Sequence, residues 1–304
     1  MANEAAPGLA QPASRVGIVA KHRLREAAAL LDELATWLSV RGVTAVFEAQ
    51  TADLAASGGR HFRTASRDDL PCEVGLLLVL GGDGTLLAMA DRVAQAGRGI
   101  PILGVNFGSL GFLTEVTLPE LYPALESALD GRASIDERMM LRCRIVRRDA
   151  TVSSFVVLND VVVTRGTVSR VVDLSVSVND QFVARFKADG IILASPTGST
   201  AYNLAAGGPI VYPTVDAFVL TPIAPHTLTN RPVVIPGSAE VRIQSHRNGM
   251  PQEIYATFDG QIGCPLEADD IVVIRKADAP LRLVRAATRN YFEVLRQKLK
   301  WAER

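Results

Sequence analysis

In the first 135 residues, short continuous apolar runs alternate with segments in which apolar residues recur at helical spacing. The run Val74–Leu80 is too short for an ordinary helix and is typical of a strand buried on both faces, whereas Leu31, Leu34 and Leu38 recur at helical spacing. Strands that alternate with helices indicate a parallel sheet covered by helices. The pattern predicts strands over Val16–Ala20, Val43–Phe47, Val74–Leu80 and Pro101–Asn106, helices over Leu24–Val40, Leu86–Ala94 and Pro119–Leu129, and a loop or weak helix over residues 51–71.

The pattern changes after Ile135, where the apolar segments become short and rich in β-branched residues. Turn-forming pairs such as Asn179-Asp180 separate them, which is typical of a mostly β domain. The segment Arg289–Trp301 has apolar residues on one face and is predicted to be a helix. Strands are predicted over Leu141–Val146, Ser154–Val163, Leu174–Val178, Gln181–Phe186, Ile191–Ala194, Val233–Ile235 and Val241–Ile243.

These patterns predict two domains and a helix that returns to the first of them. We expect a loose tail over residues 1–14, an α/β domain with a Rossmann-like parallel sheet over residues 15–135, and a mostly β domain over residues 136–285. The helix within residues 286–304 is expected to pack back on the first domain. A chain of 304 residues, of which 48% are apolar, is long enough for two such cores.

Charge and cysteine content narrow the class of protein. The chain has 32 Lys and Arg residues and 32 Asp and Glu residues, so no overall field attracts nucleic acid or an anionic membrane. The three cysteines, Cys72, Cys143 and Cys264, fit neither a disulfide framework nor a zinc site with paired spacing. No apolar run approaches the ~20 residues that span a bilayer. We therefore expect a cytoplasmic protein without nucleic-acid or membrane partners.

The sequence Gly81-Gly82-Asp83-Gly84-Thr85 lies between a predicted buried strand and a predicted helix. Glycines let the backbone approach a ligand closely, and the helix N-terminus suits phosphate. A phosphate cradle gains nothing from the negative charge of Asp83. That acid therefore indicates metal binding or deprotonation of an attacking hydroxyl, and the alternative is a simple helix cap.

Four further clusters of polar residues stand out, and one of them, Pro225–Pro232, is interpreted by itself as a structural loop. Asn159-Asp160 interrupts an apolar strand and could bind a ligand diol, or could form a bulge with local hydrogen bonds. The stretch Ser195–Tyr202 offers hydroxyls and a flat ring beside a strand end, which favours a binding turn over an ordinary capped helix. Asp259-Gly260 is a favoured hairpin pair. The chain lacks the P-loop and the usual dinucleotide fingerprint.

The chain resembles bacterial NAD kinases from about Val16 to Trp301. The segments that occur in the order found in that family are Gly81–Thr85, Leu158–Asp160 and Asp189–Pro209, and the pairs Pro225-His226 and Arg231-Pro232 and the segment Asn290–Phe292 resemble it too. The glycine-aspartate turn alone is shared with diacylglycerol kinases, sphingosine kinases and 6-phosphofructokinases, whereas the Ser195–Pro209 stretch is more specific. The resemblance implies transfer of the terminal phosphoryl group of ATP to the adenosine-ribose 2′-hydroxyl of NAD, assisted by Mg²⁺ or another divalent cation.

The resemblance also implies a role for individual residues. Asp83 would accept the proton, Gly84 would contact the substrate beside it, and Asn159 and Asp160 would hold the adenosine ribose. Many members of the family have Glu at position 160 and Arg or His at the position of Leu87. The other implied contacts are Arg170, Lys187 and Asp189 around the dinucleotide, Thr200, Ala201, Tyr202, Asn203, Leu204 and Ala205 on the adenine side, and Gln261.

Several expectations about the whole protein come with the resemblance. One cleft between the two domains would hold the site, and the protein would form a homodimer or homotetramer. Mg²⁺ would bind through the ATP phosphates, with Asp83 as an alternative ligand and no other metal ligand assigned. Lys187 would favour NAD over NADH. A diacylglycerol-type lipid kinase, a non-catalytic dinucleotide sensor, and polyphosphate as donor remain the alternatives.

Overall fold

The computed structural model describes residues 13–166, 171–227, 229–246, 253–267, 269–286 and 288–301. These residues form two compact units. The first unit contains the residues up to 137 and those from 281 onward, and the second contains residues 138–280. The chain therefore leaves the first unit once and returns to it for a last strand and helix.

The described residues contain twenty strands and seven α-helices. The strands are β1 (Arg15–Ala20), β2 (Thr44–Glu48), β3 (Arg63–Ala65), β4 (Leu76–Leu80), β5 (Ile102–Asn106), β6 (Val116–Thr117), β7 (Ile135–Arg138), β8 (Leu141–Arg147), β9 (Ala150–Val157), β10 (Asp160–Arg165), β11 (Val172–Val178), β12 (Gln181–Ala188), β13 (Gly190–Ala194), β14 (Ala217–Ile223), β15 (Val233–Pro236), β16 (Val241–Ser245), β17 (Ile254–Phe258), β18 (Ile262–Leu266), β19 (Ile271–Lys276) and β20 (Leu281–Val284). The helices are α1 (Ala28–Val40), α2 (Ala49–Ala52), α3 (Leu70–Glu73), α4 (Asp83–Ala96), α5 (Leu121–Leu129), α6 (Tyr202–Ala205) and α7 (Tyr291–Leu299). No helix in these ranges is long and apolar enough to cross a membrane.

The sheet of the first unit confirms the predicted α/β class. Its strands lie in the order β3-β2-β1-β4-β5-β20-β7, and β6 pairs with β5. The pairs that join β3 through β20 are parallel. One prediction was wrong here, because the segment over residues 51–71 contains the edge strand β3 besides short helical turns. Its three residues are mostly exposed and give no apolar alternation to read.

The second unit is built from two antiparallel sheets of six strands each, which confirms the predicted mostly β class. Their orders are β15-β14-β13-β10-β17-β18 and β12-β11-β16-β19-β8-β9. The prediction of one strand over Ser154–Val163 was wrong. This segment is divided between β9 and β10, which belong to different sheets, and the chain changes sheet at Leu158-Asn159. Apolar residues on both sides of the break conceal it in the sequence.

Strand β10 is apolar at consecutive positions because its two faces pack against different apolar clusters. Val161 and Val163 are buried in the core that the two sheets share. Val162 lies in a smaller cluster with Ile192 and Val219, against which Val211 packs. Both faces of β10 are therefore covered, and the segment that follows β13 contributes part of that cover.

Candidate active site

The turn after β4 lies where the order of the first sheet reverses. The chain adds β2 and β3 on one side of β1, and β4 and β5 on the other. Ligands of open parallel sheets bind outside the carboxyl ends of the strands at such a switch point. The Lys21 amide donates to the Leu80 carbonyl at 2.8 Å, which joins the ends of β1 and β4. A Cβ on Gly81 would lie 2.7 Å from Thr85 Oγ1, so this turn depends on glycine.

The Asp83 carboxylate is held by a second glycine-rich turn, residues 107–114, which follows β5. Its Oδ2 accepts a hydrogen bond from the Phe112 amide at 2.8 Å. Its Oδ1 accepts from the amides of Leu113 at 3.1 Å and Thr114 at 3.0 Å, and from the Thr114 hydroxyl at 2.9 Å. A Cβ on Gly111 would overlap the carboxylate. The glycine at position 111 therefore makes room for Asp83.

The side chain of Asn106, at the end of β5, stabilises this second turn by hydrogen bonds. Its amide nitrogen donates to the Ser109 carbonyl at 2.8 Å and the Thr114 hydroxyl at 3.0 Å. Its oxygen accepts from the Gly108 amide at 2.6 Å. Asn106 is buried, so these bonds also satisfy its own polar atoms. The adjacent parallel strands β4 and β5 thus deliver Asp83 and its partners to one edge of the sheet.

The simple helix-cap interpretation of Asp83 does not fit this geometry. Gly82 occupies the N-cap position of α4, and Asp83 is the first helical residue. The carboxylate bonds to residues 112–114 rather than to the amides of α4. Among the described residues, Oδ1 accepts three hydrogen bonds and Oδ2 accepts one, so Oδ2 keeps a lone pair for a ligand.

In the second unit, a single aspartate organises the break between β9 and β10. Asp259 accepts hydrogen bonds from the amides of Leu158 at 2.8 Å, Asn159 at 2.7 Å and Asp160 at 3.1 Å. Asp259 and Gly260 have φ angles of 51° and 64° and connect β17 to β18, which confirms the predicted hairpin turn. The Asn159 side-chain amide makes no hydrogen bond with the described residues and is available to a ligand.

Asp160 is buried beside this turn, with 4% of its surface exposed. Burial raises the pKa of its carboxyl group to about 7, and the nearby Asp259 carboxylate adds to the rise. A hydrogen bond from the Tyr202 amide acts in the opposite direction. Asp160 thus gains or loses its charge near neutral pH.

The segment between β13 and β14 packs directly against the Asn159 backbone. Ser195 donates its amide to the Asn159 carbonyl at 2.8 Å and its hydroxyl to the Leu158 carbonyl at 2.5 Å. A Cβ on Gly198 would overlap the Asn159 carbonyl, so this close approach requires glycine. The Thr197 hydroxyl, in the residue before Gly198, is buried and has no hydrogen-bond partner among the described residues. Such an unsatisfied hydroxyl marks a position that a ligand atom can satisfy.

The predicted adenine-side residues divide into two groups. Asn203 is fully buried; its amide nitrogen donates to the carbonyls of Ser199 and Pro209, and its oxygen accepts from Thr221. Its side chain therefore shapes the segment from within. The remaining side chains are partly or well exposed, and these are Thr200, Ala201, Tyr202, Leu204 and Ala205.

The structure does not bring every predicted contact together. Asp189 precedes β13, whereas Ser195 follows it, so Lys187 and Asp189 lie at the opposite end of this strand from Asn159. Asp189 forms an ion pair with Arg165 at 2.9 Å, and Lys187 is exposed. Gln261 is exposed in the hairpin turn, and Gly84 is exposed in the first turn of α4. Arg170 lies outside the described residues.

Sequence reasoning missed the residues that support these sites: Asn106, Gly111, Thr114, Thr197 and the carboxylate of Asp259. The signals were present, because a second glycine-rich turn follows β5 and an aspartate occupies the hairpin. The roles of Thr114 and Asp259 depend on contacts with residues 31 and 101 positions away, which local patterns do not reveal.

Comparison with known proteins decides the family. The ATP-NAD kinase N-terminal domain matches residues 16–133, and the ATP-NAD kinase C-terminal domain matches residues 158–286. The chain belongs to the NAD kinase family. The NAD kinase of Geotalea daltonii is 45% identical over 293 residues, and that of Syntrophotalea carbinolica is 46% identical over 290 residues; each match covers 95% of this chain and 99% of the relative.

Solved structures of NAD kinases and NADH kinases share the architecture. Yeast NADH kinase complexed with NADH has a TM-score of 0.84 at 26% identity, covering 97% of this chain and 90% of that one. An NAD kinase from Archaeoglobus fulgidus in complex with ATP has a TM-score of 0.73 at 23% identity, covering 93% and 99%, and supports the fold. Both domains of the NAD kinase fold are therefore present here, in a family of phosphotransferases.

Proposed function

We propose that this protein phosphorylates the adenosine-ribose 2′-hydroxyl of NAD with ATP and releases NADP and ADP. The observation that carries the proposal is the Asp83 carboxylate, which is fixed at the switch point of the sheet with one lone pair of Oδ2 open. A group that accepts a proton in a phosphoryl transfer needs this kind of fixed, partly open oxygen.

The residues of the first unit would act on the reacting atoms. Oδ2 of Asp83 aligns the 2′-hydroxyl and takes its proton as the new oxygen–phosphorus bond forms and the bond to the leaving ADP breaks. Alignment contributes more than basicity, because an ordinary carboxylate is a weak base in the ground state. The glycine turn and the N-terminus of α4 favour the phosphate groups of ATP.

The second unit would hold the dinucleotide. The free side-chain amide of Asn159 and the carboxylate of Asp160 suit the two hydroxyls of a ribose. Thr197 offers a hydroxyl without a partner among the described residues, and Tyr202 offers an exposed ring on which the adenine can stack. With Asp at position 160 instead of the longer Glu, the contact to the ribose can run through a water molecule. Gly84, Gln261 and the exposed residues of the adenine-side group are the remaining proposed contacts.

A divalent cation, Mg²⁺ in the first instance, would reach the reaction with the ATP phosphates and neutralise their charge. No group of three or more His, Cys, Asp or Glu residues in the described part of the chain could hold a metal ion. The open lone pair on Oδ2 of Asp83 cannot bind the substrate 2′-hydroxyl and a cation at the same time. We propose that Oδ2 binds the 2′-hydroxyl and that the cation binds the ATP phosphates.

The oligomer, the compartment and the acceptor preference complete the proposal. We expect a homodimer or homotetramer in the cytoplasm, and sedimentation at micromolar concentration tests the first of these. A monomer at that concentration contradicts it. We also expect NAD to be preferred to NADH, because the family resemblance links a basic side chain at the position of Lys187 with selectivity for the oxidised acceptor. Equal kcat/KM for both acceptors contradicts this preference.

A donor and acceptor screen tests the activity itself. Purified protein with Mg²⁺ is incubated with ATP or polyphosphate and with NAD, NADH or diacylglycerol, and the products are identified by mass. NADP from ATP and NAD is the expected product. Phosphorylated diacylglycerol would indicate the lipid kinase, and NAD binding without product would indicate the dinucleotide sensor.

A further inference from the structure

The Asp259 carboxylate occupies a position that the proposed reaction does not explain. It lies in the hairpin turn between β17 and β18, yet three of its hydrogen bonds reach the consecutive amides of Leu158, Asn159 and Asp160. We propose that Asp259 is a positioning residue, which holds this backbone so that Asn159 and Asp160 meet NAD and which controls the charge of Asp160. The inference rests on the proposed function for the identity of the ligand.

The geometry shows why this turn needs a carboxylate. The chain changes sheet between β9 and β10, so the amides of Leu158 and Asn159 lie outside the registered strand pairs. Oδ2 of Asp259 accepts from Leu158, and Oδ1 accepts from Asn159 and Asp160. An amide side chain has only one accepting oxygen and would turn its own donors toward at least one of these amides.

The backbone of the hairpin fixes the direction of this carboxylate. Asp259 has a φ angle of 51°, a left-handed conformation that aspartate tolerates better than most residues. Its amide donates to the Asp160 carbonyl at 3.0 Å, so the two segments are tied in both directions. These contacts hold Asp259 against the backbone of Leu158–Asp160.

The groups that face Asp160 make its charge dependent on Asp259. Among the described residues, the Asp259 carboxylate of the hairpin opposes ionisation of Asp160, and the Tyr202 amide of α6 favours it. The paired residue on β13 is Ala194, which carries no charge. An ionised Asp160 can accept hydrogen bonds from a ribose hydroxyl or a bridging water at both carboxylate oxygens, whereas the protonated form loses part of this capacity.

Two consequences separate this role from a purely structural one. In the wild-type protein, the affinity for NAD should fall as the pH falls through about 7, because burial raises the pKa of Asp160 to that value and the acid then becomes neutral. In Asp259→Asn, the like charge is gone, so the midpoint of this dependence should move to lower pH. Affinity well above the midpoint should also fall about tenfold to a hundredfold, because one amide loses its acceptor.

The experiment measures NAD binding by calorimetry between about pH 5.5 and pH 8.5 for the wild type and Asp259→Asn. Asp269→Asn is the matched control, because Asp269 is also at positive φ in a turn of the same unit and is exposed. The control should keep the wild-type affinity and midpoint. Asp160→Asn should bind NAD with no pH dependence in this range. An Asp259→Asn protein with the wild-type midpoint overturns the proposal, and so does a wild-type affinity that is flat across the range.

A second measurement keeps this test distinct from the test of the function. The carboxyl ¹³C resonance of Asp160, assigned by its loss in Asp160→Asn, reports the titration directly and needs neither NAD nor turnover. A midpoint that falls in Asp259→Asn supports the electrostatic coupling even if NAD is not the ligand. An unchanged midpoint overturns the coupling even in an active enzyme. If Asp259→Asn does not fold, Asp259→Glu replaces it, because glutamate keeps the negative charge but has a longer side chain. The NAD affinity of Asp259→Glu should fall, while the midpoint of the Asp160 titration stays near neutral pH. Wild-type NAD affinity in this variant overturns the positioning role.

Discussion

At the scale of single residues, Asp83 serves both the fold and the proposed chemistry. Four hydrogen bonds tie its carboxylate to residues 112–114, and the same bonds leave Oδ2 in one orientation. A freely rotating carboxylate would lose entropy each time it aligned a substrate hydroxyl. The support of the second turn therefore prepares Asp83 in advance for the role proposed for it.

The substitution Asp83→Asn tests this double role. Turnover should fall by roughly 10²–10⁴, the usual contribution of a general base, while the affinity for NAD changes little. The structure adds a second effect, because asparagine has one accepting oxygen and leaves an amide among residues 112–114 unpaired. The free energy of unfolding should fall by about 1–3 kcal/mol. Asp53→Asn, at an exposed position of the same unit, is the control for both measurements. Wild-type turnover in Asp83→Asn would end the catalytic assignment.

At the scale of elements, the two glycine-rich turns form one structural unit, because the Asp83 carboxylate of the first accepts hydrogen bonds from residues 112–114 of the second. The sequence predicts the first turn from its glycines and from the strand before it, and Gly108 and Gly111 of the second turn follow another predicted strand. It also predicts the hairpin at Asp259-Gly260 from a local preference. It cannot predict that Gly111 accommodates Asp83 or that Asp259 binds the Leu158 amide, because these contacts join turns that are remote in the chain. Local chemistry identifies the parts, and topology decides which parts meet.

A pair of glycine substitutions tests whether the second turn must hold Asp83 in place. Gly111→Ala places a methyl group on the Asp83 carboxylate, so the second turn must shift. Overpacking of this kind costs about 1–3 kcal/mol of stability, and turnover should fall at least about tenfold as Asp83 moves. Gly108→Ala is the matched control in the same turn, because its Cβ would meet nothing closer than Asn106 Oδ1 at 3.8 Å. Equal turnover in the two variants would show that the position of Asp83 is not critical.

At the scale of the whole molecule, the apolar pattern predicts the two kinds of core but not every path of the chain between them. The parallel sheet and the antiparallel sheets follow from periodicity and β-branched content. The change of sheet at Leu158-Asn159 does not, because both neighbouring strands are apolar. The return of α7 to the first unit rests on remote contacts as well: Arg289 donates to the Glu115 carbonyl at 3.0 Å and to Glu120 at 2.7 Å.

The division of labour proposed for the two units gives a prediction for the whole enzyme. Asn159→Ala removes a side-chain amide that makes no hydrogen bond with the described residues, so the free energy of unfolding should hardly change. NAD affinity and turnover should both fall, because the ribose hydroxyl is no longer held in place. If Asp83 and Asn159 act on the same hydroxyl, their effects cannot be independent, since an acceptor has little value when its proton is misplaced.

The double variant Asp83→Asn/Asn159→Ala measures this dependence. Its loss of kcat should be smaller than the product of the two single losses, as found for catalytic groups that act as a unit. Asp83→Asn/Asp269→Asn is the control pair, and its losses should simply multiply because Asp269 is exposed in a turn of the second unit. If the losses multiply for Asn159 as they do for Asp269, the two residues do not serve one reacting group, and the proposed cooperation of the two units in phosphoryl transfer is wrong.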